Sequence, residues 1–205
     1  MARDLGVEQA PDALAVRART ALALTAAISR QGKPDLLRKS LDNLLEEAKQ
    51  KVGGEPPPRV TGFIQYAKGE IYLTENDAKN ALAMAEDSIK TDPSQPSTLG
   101  LKARALAKLG KLDDAKKAFD EALALSPSSL PIAKAASDVF ARAKRDDVGI
   151  GYLAKVQAAN PENGMAYVEL SLAQSNAGKA KDALKNADLA LGRRPDLVQR
   201  PSPTQ

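Results

Sequence analysis

The stretch SIKTDPSQPSTLGLKARALAKLGKLDDAKKAF, residues 88–119, places Pro93 within a pattern of apolar and charged residues at helical spacing. Comparable prolines follow at Pro127, Pro161 and Pro195, and neighbouring members of the series are always 34 residues apart. A constant interval of this size indicates a structural repeat. Because proline lacks a backbone donor and disfavours helix in the residue before it, each of these prolines is expected to close a helix.

Small residues recur at three positions of the repeat when the prolines are aligned as position 32. These columns are Gly69, Ala103, Ser137 and Ser171 at position 8; Ala81, Ala115, Gly149 and Ala183 at position 20; and Ser88, Ala122, Val156 and Ala190 at position 27. Two helices approach to ~8–10 Å only where the contacting residues are small. Each unit is therefore predicted to be a helical hairpin, with a turn near position 15, where Asn76, Gly110 and Gly178 tolerate a left-handed backbone.

Large residues are expected to fill the flanks of these small contacts. Position 11 supplies Tyr72, Leu106 and Phe140, and position 24 supplies Phe119 and Leu153. The same columns also contain Gln174, Ala85 and Ala187. The outer repeats are therefore expected to pack less fully than the inner ones.

The composition excludes several classes of function. The 205 residues include no cysteine and no histidine, which removes thiolate nucleophiles, Ser-His triads and most transition-metal sites. The 30 basic and 26 acidic side chains leave a net charge of +4, and aromatic residues make up 3% of the chain, which is not the pattern of a nucleic-acid binder. No apolar run approaches the ~18–20 residues of a membrane span. We therefore expect no catalytic site, cofactor, metal, nucleic-acid partner or direct membrane insertion.

The repeat units resemble tetratricopeptide repeats. The strongest resemblance is the second unit, PSTLGLKARALAKLGKLDDAKKAFDEALALSPSS, residues 96–129, which carries Leu99, Ala103, Leu106, Gly110, Leu112, Ala115, Phe119, Ala122 and Pro127 where that family expects such residues. The resemblance implies an all-α fold, a right-handed α-solenoid of about ten helices stacked as antiparallel hairpins. It also implies a non-enzymatic scaffold for protein–protein interaction, of a bacterial type.

The period divides the chain into repeats and connecting segments. Four regular units are expected at 62–95, 96–129, 130–163 and 164–197, with tails at 1–11 and 198–205 and a Gly- and Pro-rich connection at 52–61. Residues 12–51 are predicted to form two further helices, 12–31 and 34–51. They are interpreted either as a divergent repeat or as an independent capping hairpin, which shields the end of the array.

The resemblance also implies a concave groove, lined by the first helix of each hairpin, that receives a peptide or helix of a partner. Carried onto this chain, its positions give Phe63, Tyr66, Glu70, Leu73, Arg104, Lys108, Lys134, Asp138, Arg142, Met165, Val168, Leu172 and Asn176. This groove is expected to be basic in the middle and apolar toward both ends. The predicted ligand is an acidic or amphipathic peptide that crosses Arg104 and Arg142.

Three alternatives remain open in the sequence. The chain could be a structural spacer or assembly factor in a bacterial envelope, secretion or polysaccharide-export complex. After Pro195 only DLVQRPSPTQ follows, so either the chain is a piece of a longer protein or its last, uncapped hairpin associates with a second copy. Carboxylate pairs such as Asp146 and Asp147 could bind a cation, but acids at the start of a helix also stabilise that helix. The composition does not fix the compartment.

Overall fold

The computed structural model describes residues 33–193, and all regular secondary structure in this part of the chain is helical, with no strand. Its helices are α1 (Pro34–Val52), α2 (Pro58–Thr74), α3 (Ala78–Thr91), α4 (Pro96–Lys108), α5 (Leu112–Leu125), α6 (Leu130–Arg142), α7 (Asp146–Ala159), α8 (Gly164–Asn176) and α9 (Ala180–Arg193). Short turns join consecutive helices into antiparallel hairpins. The predicted all-α repeat fold is confirmed, whereas the predicted helix 12–31 and both tails lie outside the described residues.

The turns within four hairpins are built the same way. One residue in each has a positive φ, and these residues are again 34 apart: Asn76 (64°), Gly110 (79°), Lys144 (57°) and Gly178 (74°). In every case the next residue donates its backbone N–H to a carbonyl five residues earlier, as in the donation from Arg145 to Phe140 at 2.7 Å. This bond satisfies a carbonyl at the end of the first helix. The predicted turn at position 15 is confirmed, and Lys144 shows that glycine is not obligatory there.

The repeating prolines end the second helix of their hairpins. Pro93, Pro127 and Pro161 each lie two residues after the last helical residue, at Thr91, Leu125 and Ala159 respectively. In the first of these places Asp92 is extended and its N–H still bonds to the Ser88 carbonyl. The prediction for these three prolines is confirmed, and Pro195 lies outside the described residues.

The connection between α1 and α2 is shorter than the sequence indicated. Helix α1 continues through Val52, and α2 begins at Pro58, so only residues 53–57 are non-helical. Gly53 ends α1 with a left-handed backbone, while Pro58 occupies the first turn of α2, where its missing N–H costs nothing. The expectation that the whole of 52–61 is too irregular for a helix was therefore wrong for residue 52 and for residues 58–61.

The small residues of the three columns form the contacts between helices. All twelve are buried except Ser171, which is half-buried. A Cβ added to Gly69 would lie 2.5 Å from Leu101, and one added to Gly149 would lie 2.9 Å from the Ser137 Cα. Ser137 and Gly149 are positions 8 and 20 of one hairpin, so this contact is the one that the small columns predicted.

The described part of the chain divides into two compact units, with the boundary between residues 118 and 119. In the described part of the first unit, one apolar cluster joins α1 and α2 through residues such as Leu41 and Ile64, and another contains Leu73, Ala81, Ala85, Leu101 and Ala105. In the second unit, Phe119, Phe140 and Tyr152 form an aromatic cluster with ring centroids 5.9–6.3 Å apart. The Tyr152 hydroxyl donates to Asp120 at 3.0 Å. Small residues thus lie where the helices contact each other, and large residues fill the core beside these contacts.

Candidate functional site

The predicted groove residues of α2 are more deeply packed than expected. Leu73 is only 4% exposed, because it lies in the second apolar cluster of the first unit. Phe63 and Tyr66 are half-buried, their ring centroids lie 5.9 Å apart, and each packs against one of the two clusters. The assignment of Leu73 to a ligand surface was therefore wrong, while Phe63 and Tyr66 retain only part of their surface for a partner.

Arg104 is already paired with a carboxylate. Its guanidinium lies 2.7 and 2.9 Å from the two Glu70 carboxylate oxygens, which links α2 to α4 at equivalent positions of consecutive repeats. Burial, followed by the charge of Glu70, raises the pKa of the neighbouring Tyr66 hydroxyl. Lys108, one turn beyond Arg104, donates to the Asn76 side-chain oxygen at 2.7 Å. The basic character expected from Arg104 is therefore largely neutralised.

The remaining predicted basic residues lie on α6. Lys134 and Arg142 are exposed, and Lys134 forms an ion pair with Glu169 of α8. The sequence analysis assigned Val168 to the groove but not the next residue, Glu169. It therefore missed the ion pair between Lys134 and Glu169. Of the four cations expected in the middle of the groove, Arg104 and Lys134 each have a carboxylate partner.

A groove of about 200 Å³ lies between α6, the first half of α7 and α8, entirely within the second unit. Four predicted residues line it: Lys134, Asp138, Leu172 and Asn176. Its other lining residues were not predicted, namely Ser137, Ala141, Asp146, Ile150, Leu153, Glu169 and Ala173. Met165, Val168 and Arg142 are not among the lining residues. Several of the missed residues come from α7, the second helix of a hairpin, whereas the resemblance considered only first helices.

The groove combines an apolar wall with charged edges. Leu172 is 54% exposed and lies beside Ala173, Ile150 and Leu153 among the lining residues. The Lys134–Glu169 pair is neutral as a whole. Asp138 and Asp146 form no ion pair within residues 33–193, although Arg142 lies only one turn from Asp138. The groove therefore presents a net negative charge next to an exposed leucine.

The described residues show neither a metal centre nor a membrane-spanning segment. Between residues 33 and 193, no group of three or more acidic side chains is placed to hold a metal ion. Across the same range, no helix is both long and apolar enough to cross a membrane.

The tetratricopeptide repeat family model matches residues 72–139. Solved structures share the fold at low identity: BtubC (BKLC) from P. vanneervenii (TM-score 0.64, 16% identity, 97% of this chain and 88% of that chain) and the thermophilic tetratricopeptide repeat protein TTC0263 of Thermus thermophilus (0.60, 17%, 88% and 93%). A crystal structure of MamA is also similar (0.55, 15%, 92% and 97%). No curated protein matches the chain. The expected resemblance to tetratricopeptide repeats is confirmed over residues 72–139, and the similar solved structures share the all-α repeat fold over most of the chain.

Proposed function

We propose that this repeat protein is an interaction scaffold, and that the groove between α6, α7 and α8 holds a segment of a partner protein. The observation that carries the proposal is the position of Leu172, 54% exposed at the wall of a concave site. An exposed leucine in a concave site is more informative than one on a convex surface, because it lets a partner remove apolar area from water.

The walls of the groove are well supported by the core behind them. Helices α6 and α7 pack together, and their Phe140 and Tyr152 rings stack at an interplanar angle of 13°. Leu153 and Ser137 connect the groove to this core, since both are buried. A preformed site avoids much of the ordering cost of association, so a short segment can bind to it usefully.

The size and charge of the groove define the kind of segment. A volume of about 200 Å³ accommodates one or two side chains, so binding rests on a few anchoring residues and not on a long buried stretch. The carboxylate partners of Arg104 and Lys134 weigh against the acidic peptide that the sequence favoured. The proposed ligand is therefore an amphipathic segment whose apolar side packs against Leu172.

Selection of peptides from a displayed random library tests this proposal. Peptides that bind the wild-type chain are expected to lose about tenfold or more in affinity on Leu172→Asn, because the substitution removes the apolar wall without adding a charge. Leu125→Asn is the matched control, because Leu125 is 53% exposed in the same unit and does not line the groove. Circular dichroism confirms that both variants remain folded.

The proposal fails if no selected peptide distinguishes Leu172→Asn from the wild-type chain. It also fails if Leu125→Asn weakens the same peptides to the same degree, since the effect would then reflect the loss of any exposed leucine.

A second candidate function is self-association through α9. Leu184 is 65% exposed and Leu191 is 43% exposed, two turns apart on that helix. They occupy positions 21 and 28 of their repeat. Leu82, at position 21 of the first regular repeat, packs against the cluster containing Leu101, and Leu123, at position 28 of the second, is buried. A second copy of the chain would cover the α9 leucines in the same way, and the oligomeric state in solution tests this. The role of spacer in an envelope assembly stays a prediction.

A further inference from the structure

We propose that the groove recognises a lysine or arginine side chain of the partner segment, held by Asp138 and Asp146, with a neighbouring apolar residue against Leu172. This inference rests on the proposed function and specifies its ligand. The proposed ligand carries a positive charge, whereas the sequence predicted an acidic or amphipathic peptide.

The charges that line the groove favour a cationic occupant. Lys134 is paired with Glu169, so these two charges offset each other. Asp138 is exposed on α6, and Asp146 is half-buried in the first turn of α7. Lys179, in the α8–α9 turn, forms its ion pair with Asp147, which lies outside the groove lining, although its charge also interacts with Asp146. Two carboxylates thus remain without an ion pair in the part of the chain that the structure describes.

A serine in the groove lining fits the same ligand. Ser137 is 8% exposed and lies one residue before Asp138. Its hydroxyl oxygen can accept a hydrogen bond from an ammonium or guanidinium group. A hydroxyl oxygen and a carboxylate together match the several donors of a lysine or arginine head group.

The apolar wall explains why the ligand is a peptide segment and not a free small cation. Lysine and arginine carry three or four methylene groups that pack along apolar side chains while the charged end reaches a carboxylate. Leu172, Ile150 and Leu153 supply that surface beside the carboxylates. A segment that pairs a basic residue with an adjacent apolar one fills both parts of the groove.

The test uses the full chain and a displayed library of random dodecapeptides. Peptides selected on the wild-type chain are expected to be enriched in lysine or arginine within two residues of an apolar residue. Their affinity is expected to fall about two- to tenfold on Asp138→Asn or Asp146→Asn, and to fall when salt concentration rises. Asp188→Asn is the matched control, because Asp188 is an exposed carboxylate of the same unit that does not line the groove.

The outcomes separate this inference from the function on which it rests. If peptides require Leu172 but show no basic preference, or bind Asp138→Asn and Asp146→Asn as tightly as wild type, the cationic ligand is wrong and the groove remains a binding site. An enrichment of acidic peptides has the same meaning. If no peptide depends on Leu172, both proposals fail. Equal weakening by Asp188→Asn also overturns the inference, because the effect would then be due to overall charge.

Discussion

At the scale of the residue, two glycines of α7 test the role assigned to the small columns. A Cβ at Gly149 would lie 2.9 Å from the Ser137 Cα and 3.0 Å from its carbonyl oxygen, whereas one at Gly151 would meet nothing within 4 Å. Gly149→Ala is expected to lower the free energy of unfolding by about 1–2 kcal/mol, because backbone must move to relieve the contact. Gly151→Ala is expected to raise it by up to about 1 kcal/mol, because alanine is the better helix former.

Thermal unfolding followed by circular dichroism measures both changes. The two variants add the same methyl group to the same helix, so their difference isolates the contact with Ser137. Stabilisation by both substitutions would contradict the close approach of α6 and α7.

At the scale of the element, helices α7 and α9 differ in how firmly they are held. Helix α7 packs against both α6 and α8 and buries Tyr152, Leu153 and Val156. Helix α9 packs against α8 through small residues, Ala183 and Ala190, and through the Asn186–Gln174 hydrogen bond. Because local opening is easier where less apolar area is buried, backbone amides of α9 are expected to exchange about tenfold or more faster than those of α7.

Hydrogen exchange read by mass spectrometry measures this difference within one unit. Peptides from α6 serve as the internal reference, because α6 shares the aromatic cluster with α7. Equal protection of α7 and α9 would contradict the expectation that the last described hairpin packs less fully.

The helices and turns could be predicted from the sequence because their signals are local. Proline ends a helix within two residues, and small residues mark the contact between two helices whatever else surrounds them. Lys144 was not recognised as a turn residue by its type, although the period of 34 residues places it at the same repeat position as Gly110 and Gly178. A strict period therefore carried information that residue preference alone did not.

The groove could be predicted only in part because its chemistry depends on which side chains meet between helices. Leu73 was assigned to a partner surface, but it lies in the cluster that also contains Ala81 and Leu101. Arg104 and Lys134 were interpreted as ligand contacts, but their carboxylate partners are 34 and 35 residues away. The periodicity of one helix cannot specify such partners, since they depend on the offset between stacked repeats.

At the scale of the whole molecule, the exposed leucines of α9 predict weak association between copies of the chain. A stable interface usually buries more than ~1,000 Å² in total, which Leu184 and Leu191 alone cannot provide. Their pairing in a two-fold contact is therefore expected to give a dimer whose dissociation constant lies in about the micromolar to millimolar range. Sedimentation velocity over a wide range of concentrations is expected to show a rising average mass, which the double variant Leu184→Lys, Leu191→Lys abolishes. Leu125→Lys, with a comparably exposed leucine replaced, should leave the dimer intact. A wild-type chain that remains monomeric at every concentration would rule out this interface, and a dimer unaffected by the double variant would place the contact elsewhere.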